Sequence, residues 1–503
     1  MGQHLAKLVL LSMPLGGCSL IYSSDRLPAL NDAPPADVEP FNLTLERVSP
    51  AVLLEGQGDG GSRPAVLVIH GTNIAAGATV MVTTHRGEMN NAAVMVDNAA
   101  AVVDAYGHSI AVPITLHVDK NIGPSQSIRL DVTVIQAPPN AEVRATLGDD
   151  EEPALTLQGL PELEGTLAEM IEPLYSKIDV TAIPTAGRTG PLILRSTSSI
   201  KIAGAGPLAL NASGQTPGPG GFRGGEGGPG GVLGPGGEGK EGLGPGGGRP
   251  SGGGAGFARP GDAGTGAQGP VAGEPALTTL TTPDSRNRGS GGAGGKGGGL
   301  LGGPGGTGGG GGGALELTAE GDLTVEVSIE AKGSSGTAGM GGGTPGGGGS
   351  GGVVLLRTGG TLTLAAPGVT ATGGPKGGAA NAGDGSEGRI RIDAPDPAVM
   401  IMSDPGVGYR GPRFDPMTPM IVREEKPRLT FVGQPGALIK YTIEDGEGTT
   451  LGPIEIMMPA AGRTTVPLAM PLFRGLNRLC ALVTGVTERR DEAENCITLA
   501  YLY

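Results

Sequence analysis

Tryptophan is absent from this 503-residue chain, and aromatic residues make up only 3% of it. A chain so short of large side chains cannot fill one extensive core, so several small β cores are expected. Cationic residues are also scarce: 35 Lys and Arg stand against 49 Asp and Glu, for a formal charge of −14. That balance argues against nucleic acid as a partner, because binding there rests on Lys and Arg displacing counterions. It argues equally against a polybasic grip on anionic lipid. The five histidines (His4, His70, His85, His108 and His117) are scattered, with no cysteine close to the last four, so no metal site is indicated and no cofactor is expected.

Patterns of catalysis fail on inspection. Gly348-Gly-Ser-Gly-Gly352 has a nucleophile spacing, but it precedes a strand pattern where a sharp strand-to-helix turn is required. Lys296 follows Gly295 but is followed by glycine, not by the Ser or Thr of a phosphate-binding loop. Cysteines number three. Cys18 stands alone, whereas Cys480 and Cys496 lie near each other at the far end, so the count suits one modified thiol and one disulfide, with free buried thiols as the alternative.

Glycine is what the chain has in abundance: 99 residues, with 43 prolines. Between the glycine runs a short unit of alternating apolar residues recurs. Leu315 and Leu317 return as Val354 and Leu356, 39 positions on, and again as Ile390 and Ile392 after a further 36. Leu323 and Val325 return as Leu362 and Leu364, also 39 positions on, and an earlier copy stands at Leu192, Leu194, Ile200 and Ile202. Alternation puts these teeth on one face, which predicts stacked coils of a β-solenoid over 187–213 and 314–395. Glycine-rich excursions over 334–352 and 373–388 leave after matching strands, Ile329-Glu-Ala331 and Val369-Thr-Ala371, as does the long one over 214–313. All three are therefore expected at one corner of the repeat.

Ordering glycine costs about 1–2 kcal/mol of backbone entropy per residue, with no side chain to bury in return, so the excursions are expected to be mobile loops. The alternative is packed polyproline-II-like strands, since Gly218, Gly221, Gly224, Gly227 and Gly230 keep a three-residue period until Leu233 breaks it.

Residues 1–17 carry Lys7, the run Leu8-Val-Leu-Leu11, which is too short to cross a bilayer, and then Leu15-Gly-Gly-Cys18. This segment resembles a bacterial lipoprotein signal. The resemblance implies lipidation of Cys18, and Ser19 at the next position implies the outer membrane. Residues 18–40 then form a proline-rich tether. Short alternating strands over 41–136 include Val68-Ile-His-Gly-Thr-Asn-Ile74 and Gly77-Ala-Thr-Val80, which resemble an IPT/TIG domain of the immunoglobulin-like class. Residues 137–186 read as a junction, with the acidic run Asp149-Asp-Glu-Glu152 as solvated linker and a short helix conceivable over 160–174. The segment 404–503 reads as a second sandwich, whose Gly475-Leu-Asn-Arg478 and closing Cys-Ile-Thr-Leu strand resemble bacterial immunoglobulin-like domains. That resemblance implies a Cys480–Cys496 bond between neighbouring strands. The glycine-rich repeat resembles surface proteins and adhesins of Gram-negative bacteria.

The expectation is an all-β chain: immunoglobulin-like sandwich, short β-solenoid with glycine-rich loops, and a terminal immunoglobulin-like sandwich laid out in series. Functionally it reads as a non-catalytic outer-membrane lipoprotein with a structural or adhesive role, held to the membrane by its lipid and able to meet a protein or polysaccharide ligand at the cell surface. One alternative is a periplasm-facing scaffold that docks proteins on its sandwiches. Another is a β-helix enzyme acting on carbohydrate, for which Glu316, Glu320, Asp322, Glu326 and Glu330 supply carboxylates. The next coil has Leu355, Gly359, Thr361 and Ala365 in register with four of these acids, so the reading gives them to solvation of the strand faces.

Overall fold

The computed structural model of the chain describes residues 42–54, 62–85, 92–118, 127–137, 142–148, 152–158, 160, 162–166, 174–183, 185, 187–233, 235–263, 289–365, 368–378, 381–395, 407–415, 418, 420–445, 448–483 and 496–502. Among them all regular structure is β, apart from one 3-10 turn at Asn98–Ala100.

Two sheets form the first sandwich. One runs Thr44–Ser49, Ser62–Thr72, Ser109–Val118, Ala92–Val96, with Val102–Val103 also on Ser109–Val118. The other runs Val52–Leu54, Leu155–Gln158, Ser127–Gln136, Thr79–Thr84, with Val143–Leu147 also on Ser127–Gln136. Leu67, Ile69, Ile110 and Val112 from the first sheet meet Val80, Val132, Val134 and Leu157 from the second in one buried core. The expected junction is thus divided. Its strands Val143–Leu147 and Leu155–Gln158 complete this sandwich, and Glu162–Thr166, where a helix was conceivable, is a strand pairing in parallel with Lys177–Ala182. Asp149 to Glu151 lie outside the described residues.

Three walls of parallel strands follow. The first stacks Leu192–Ser196, Ala314–Ala319, Val353–Thr358, Arg389–Asp393 and Val407–Arg410. The second stacks Glu162–Thr166, Lys177–Ala182, Ile200–Ile202, Leu323–Val325 and Leu362–Leu364. The third stacks Leu208–Ala209, Ile329–Glu330 and Val369–Thr370. The three coils that begin at Leu192, Ala314 and Val353 visit the walls in that order, and all three glycine-rich excursions leave between the third wall and the next strand of the first. Register follows the sequence repeat: Leu192, Leu315, Val354 and Ile390 lie opposite one another, as do Ile200, Leu323 and Leu362. Their side chains share one core with Leu208, Ile329 and Val369. Val407–Arg410 belongs to this stack, so the last sandwich begins a few residues later than its sequence suggested.

The last sandwich sets Arg413–Phe414, Arg428–Val432 and Arg463–Pro467 against a sheet ordered Ile421–Val422, Cys496–Tyr501, Gly475–Val483, Leu438–Asp445, Thr450–Met457. Phe414, Phe431 and Tyr441 fill its core, the first two rings 5.0 Å apart between centroids. The two sandwiches are not simply in series. Val66, Val68 and Ala111 on the outer face of the first pack against Ala500 and Leu502 of the last, and the Arg474 guanidinium lies 5.1 Å from the Tyr106 ring centroid. This contact explains why Val66-Leu-Val-Ile69 is apolar without alternation: its strand is buried on both faces.

Candidate functional site: a glycine bundle and its outer end

The described parts of the excursions are packed, which corrects the expectation of mobile loops. Their backbones bond in steps of three. The amides of Gly225, Gly228 and Gly231 donate to the carbonyls of Gly292, Gly295 and Gly298, and the amides of those three donate to Gly309, Gly306 and Gly303, at 2.7–2.9 Å. Gly306, Gly309 and Gly312 donate onward to Thr344, Gly347 and Ser350, and Gly348 and Gly351 to Gly383 and Ser386. A three-residue period with bonds to several neighbours is the geometry of polyproline-II-like strands packed side by side.

The physical reason lies in the backbone. Comparing ordering entropy with hydrophobic burial alone leaves out the amide and carbonyl groups, which here satisfy one another in a tightly packed lattice. Only glycine allows the approach: a Cβ on Gly294 would fall inside contact distance of the Glu226 carbonyl, and one on Gly348 inside that of the Gly374 carbonyl. Residues 264–288 of the long excursion lie outside the described residues.

The bundle also folds back on the first wall. Phe257, fully buried, packs with Ile193, Ala314 and Val353 on the outward face of that wall, and its amide donates to the Ser386 hydroxyl at 2.7 Å. The Arg389 guanidinium lies 5.9 Å from its ring centroid. Outward positions of this wall are therefore interior. Glu316 does not solvate a strand face as expected but is fully buried, accepting from Arg195 Nε at 2.8 Å and Nη2 at 2.6 Å. Two coils further along, Asp393 is fully buried between Arg357 (Nε to Oδ2, 3.0 Å) and Arg391 (Nε to Oδ1, 2.8 Å), while Arg413 Nε donates to its backbone carbonyl at 3.3 Å. Burial alone would raise the Asp393 pKa; the Arg391 and Arg357 charges outweigh it and hold the carboxyl below its usual range.

Of the other candidate acids, Glu320 and Glu326 are exposed, and Glu326 lies 3.2 Å from Lys201. Asp322 accepts from the Thr361 amide of the next coil at 2.6 Å. Glu330 is held below the usual carboxylate range, chiefly by a hydrogen bond from Asn211 and further by Lys332. A carboxyl held that low stays ionised, the opposite of what a general acid needs. Cys480 and Cys496 face one another on antiparallel strands with their sulfurs 2.05 Å apart, whereas Cys18 lies outside the described residues. His85 is buried against Asp131, Nδ1 to Oδ1 2.7 Å, within the first sandwich. No cluster of three metal-binding side chains occurs among the described residues.

What the reading of motifs missed is the outer end of the bundle. Adjacent strands turn back at Val232-Leu233, at Leu300-Leu301 and at Met340, and these turns adjoin: Gly231 bridges to Leu300, Gly298 donates to Gly303, and Gly303 donates to Gly341. The five side chains are 69–87% exposed. At about 3.1 Å per residue, the ten residues from Gly313 back to Gly303 carry this end about 30 Å along the strands. The signal was present in the sequence as aliphatic residues interrupting the glycine period. Leu233 ends the period because the strand turns there.

Comparison with known protein families, with curated proteins and with solved structures gave no match in any of the three. Fold and site together define an all-β chain carrying a glycine bundle.

Proposed function

We propose that this chain is a non-catalytic lipoprotein of the outer membrane, anchored through Cys18, that presents the end of its glycine bundle at the cell surface in a structural or adhesive role. In this reading the sandwiches are immunoglobulin-like, the first of the IPT/TIG kind, and the coil stack is a β-solenoid. The observation that carries it is a packed projection built at one corner of a coil stack and ending in exposed aliphatic side chains. Such a projection positions a surface rigidly and asks no chemistry of it. The state of the carboxylates supports the same reading over carbohydrate cleavage, because Glu316 is occupied by Arg195 and Glu330 is kept ionised.

Metabolic labelling with a fatty acid tests the anchor: the parent should take up label and Cys18→Ala should not. Protease treatment of intact cells tests the facing. Digestion of the protein before the outer membrane is opened supports surface display; complete protection until it is opened assigns the chain to the periplasm and to the scaffold role.

A further inference from the structure

The residue at the apex of the bundle is held in a conformation that its neighbours could have relieved. Leu301 has φ +58°, in the left-handed region where a leucine is strained and a glycine is not. It stands among glycines, so glycine there would have continued the local pattern at no conformational cost. Instead a leucine is kept, 80% exposed, beside Leu300, Val232, Leu233 and Met340. Strain retained at an exposed apolar side chain points to a use for that side chain.

We infer that this end inserts into an electrically neutral lipid surface. Charge argues first. Residues 227–237, 297–307 and 335–346, which build this end of the bundle, contain no charged side chain, so the end has no charge to draw it to anionic headgroups and none to desolvate on entering neutral lipid. Of the charges flanking it, Lys296 lies 2.6 Å from Glu238 and Lys240 2.6 Å from Glu226, while Lys376 stands one strand over, between Pro375, which accepts from the Gly336 amide, and Gly377, which donates to Gly346. Size argues second. Five aliphatic side chains without an aromatic or an arginine among them fall well short of the roughly 20–30 residues a side that a stable protein interface uses. In lipid each buried methylene contributes separately, so a small aliphatic end suffices for reversible binding. The proposal rests on reading the bundle end as the presented face, but it does not rest on the Cys18 anchor.

The test uses the full chain carrying Cys18→Ala, so that no acyl chain is attached, mixed with phosphatidylcholine vesicles and floated on a density gradient. The parent should float, and Val232→Ser/Leu233→Ser/Leu300→Ser/Leu301→Gly in the same chain should lose vesicle binding by about tenfold or more, from the methylenes removed. Met95→Ser, an exposed apolar residue on the first sandwich, should bind as the parent does. The single variant Leu301→Gly, which removes a side chain while relieving strain, should bind less and fold at least as well. A parent that stays unbound, a multiple variant that floats as the parent does, or floating only with anionic vesicles overturns the proposal. So does concentration-dependent self-association abolished by the same substitutions, which assigns the end to a second copy of the chain. If vesicles are not bound while intact cells still expose the protein to protease, lipid insertion falls and surface presentation stands.

Discussion

Arg195 and Glu316 are 121 residues apart in the chain and 2.6 Å apart in space, side by side on adjacent strands of the first wall. The long glycine-rich excursion leaves and returns between them, so this pair closes the coil stack across its largest interruption. Glu316 is fully buried and Arg195 nearly so. Removing one partner leaves the other charge in a low-dielectric setting, a loss of about 3–5 kcal/mol for a buried pair. Glu316→Ala should therefore lower the unfolding free energy of the coil stack, read from a denaturant titration, by an amount in that range. A loss below about 1 kcal/mol, the value of a surface pair, would show the pair to be solvated.

Glycine substitutions should separate the packed bundle from a loop. Gly294 and Gly348 are buried with a neighbouring carbonyl where a Cβ would go, whereas Gly299 has open space there. An extra methyl forced into a filled interior costs about 1–3 kcal/mol. Gly294→Ala and Gly348→Ala should raise amide exchange across the strands bonded to them, and Gly299→Ala should leave exchange unchanged. Equal tolerance at all three positions would return the excursions to mobile loops.

The strand pattern was readable because alternation and a fixed offset speak through side chains. Leu315, Val354 and Ile390 repeat in the sequence and lie in register in space. The fate of the glycines was not readable in the same way, since their packing resides in amides and carbonyls that every residue carries. Glu316 was misjudged for a related reason: alternation says which way a residue faces, but not that Phe257, from the excursion, covers part of that face. The sequence reading groups Val66 to Ile69 with the short alternating strands of 41–136, although the run itself does not alternate, the mark of a strand buried on both faces; nothing in it names Ala500 and Leu502 as the cover.

The disulfide of the last sandwich joins Cys480 to Cys496, a separation of 16 residues. Closing a loop of this size removes denatured-state entropy worth about 3 kcal/mol. Reduction, or the double change Cys480→Ala/Cys496→Ala, should lower the stability of this sandwich by about that amount. The strand Cys496–Tyr501 also carries Ala500 onto the first sandwich, so loosening it should raise amide exchange at Val66 and Val68 as well. Exchange confined to the last sandwich would mean that the contact between the two does not depend on the bond.

Acid should act through Asp393. Its folded pKa lies below the unfolded value, about 3.9, because the Arg391 and Arg357 charges overcome the effect of burial. A carboxyl depressed in this way contributes stability that is fully present above the unfolded pKa and is lost as pH falls through the folded one, since the unfolded chain then binds the proton more readily. Urea unfolding of the parent should therefore be flat in this contribution from pH 7 to about pH 5 and fall steadily below about pH 4. Asp393→Asn keeps the shape of the side chain but leaves Arg357 and Arg391 without their counter-charge. That variant should be less stable at pH 7, by about 3 kcal/mol or more, and should lose less on further acidification. A variant with the same acid slope as the parent would place the acid sensitivity in other carboxyls, and one as stable as the parent at pH 7 would show that the buried arginines do not depend on Asp393 for their charge balance.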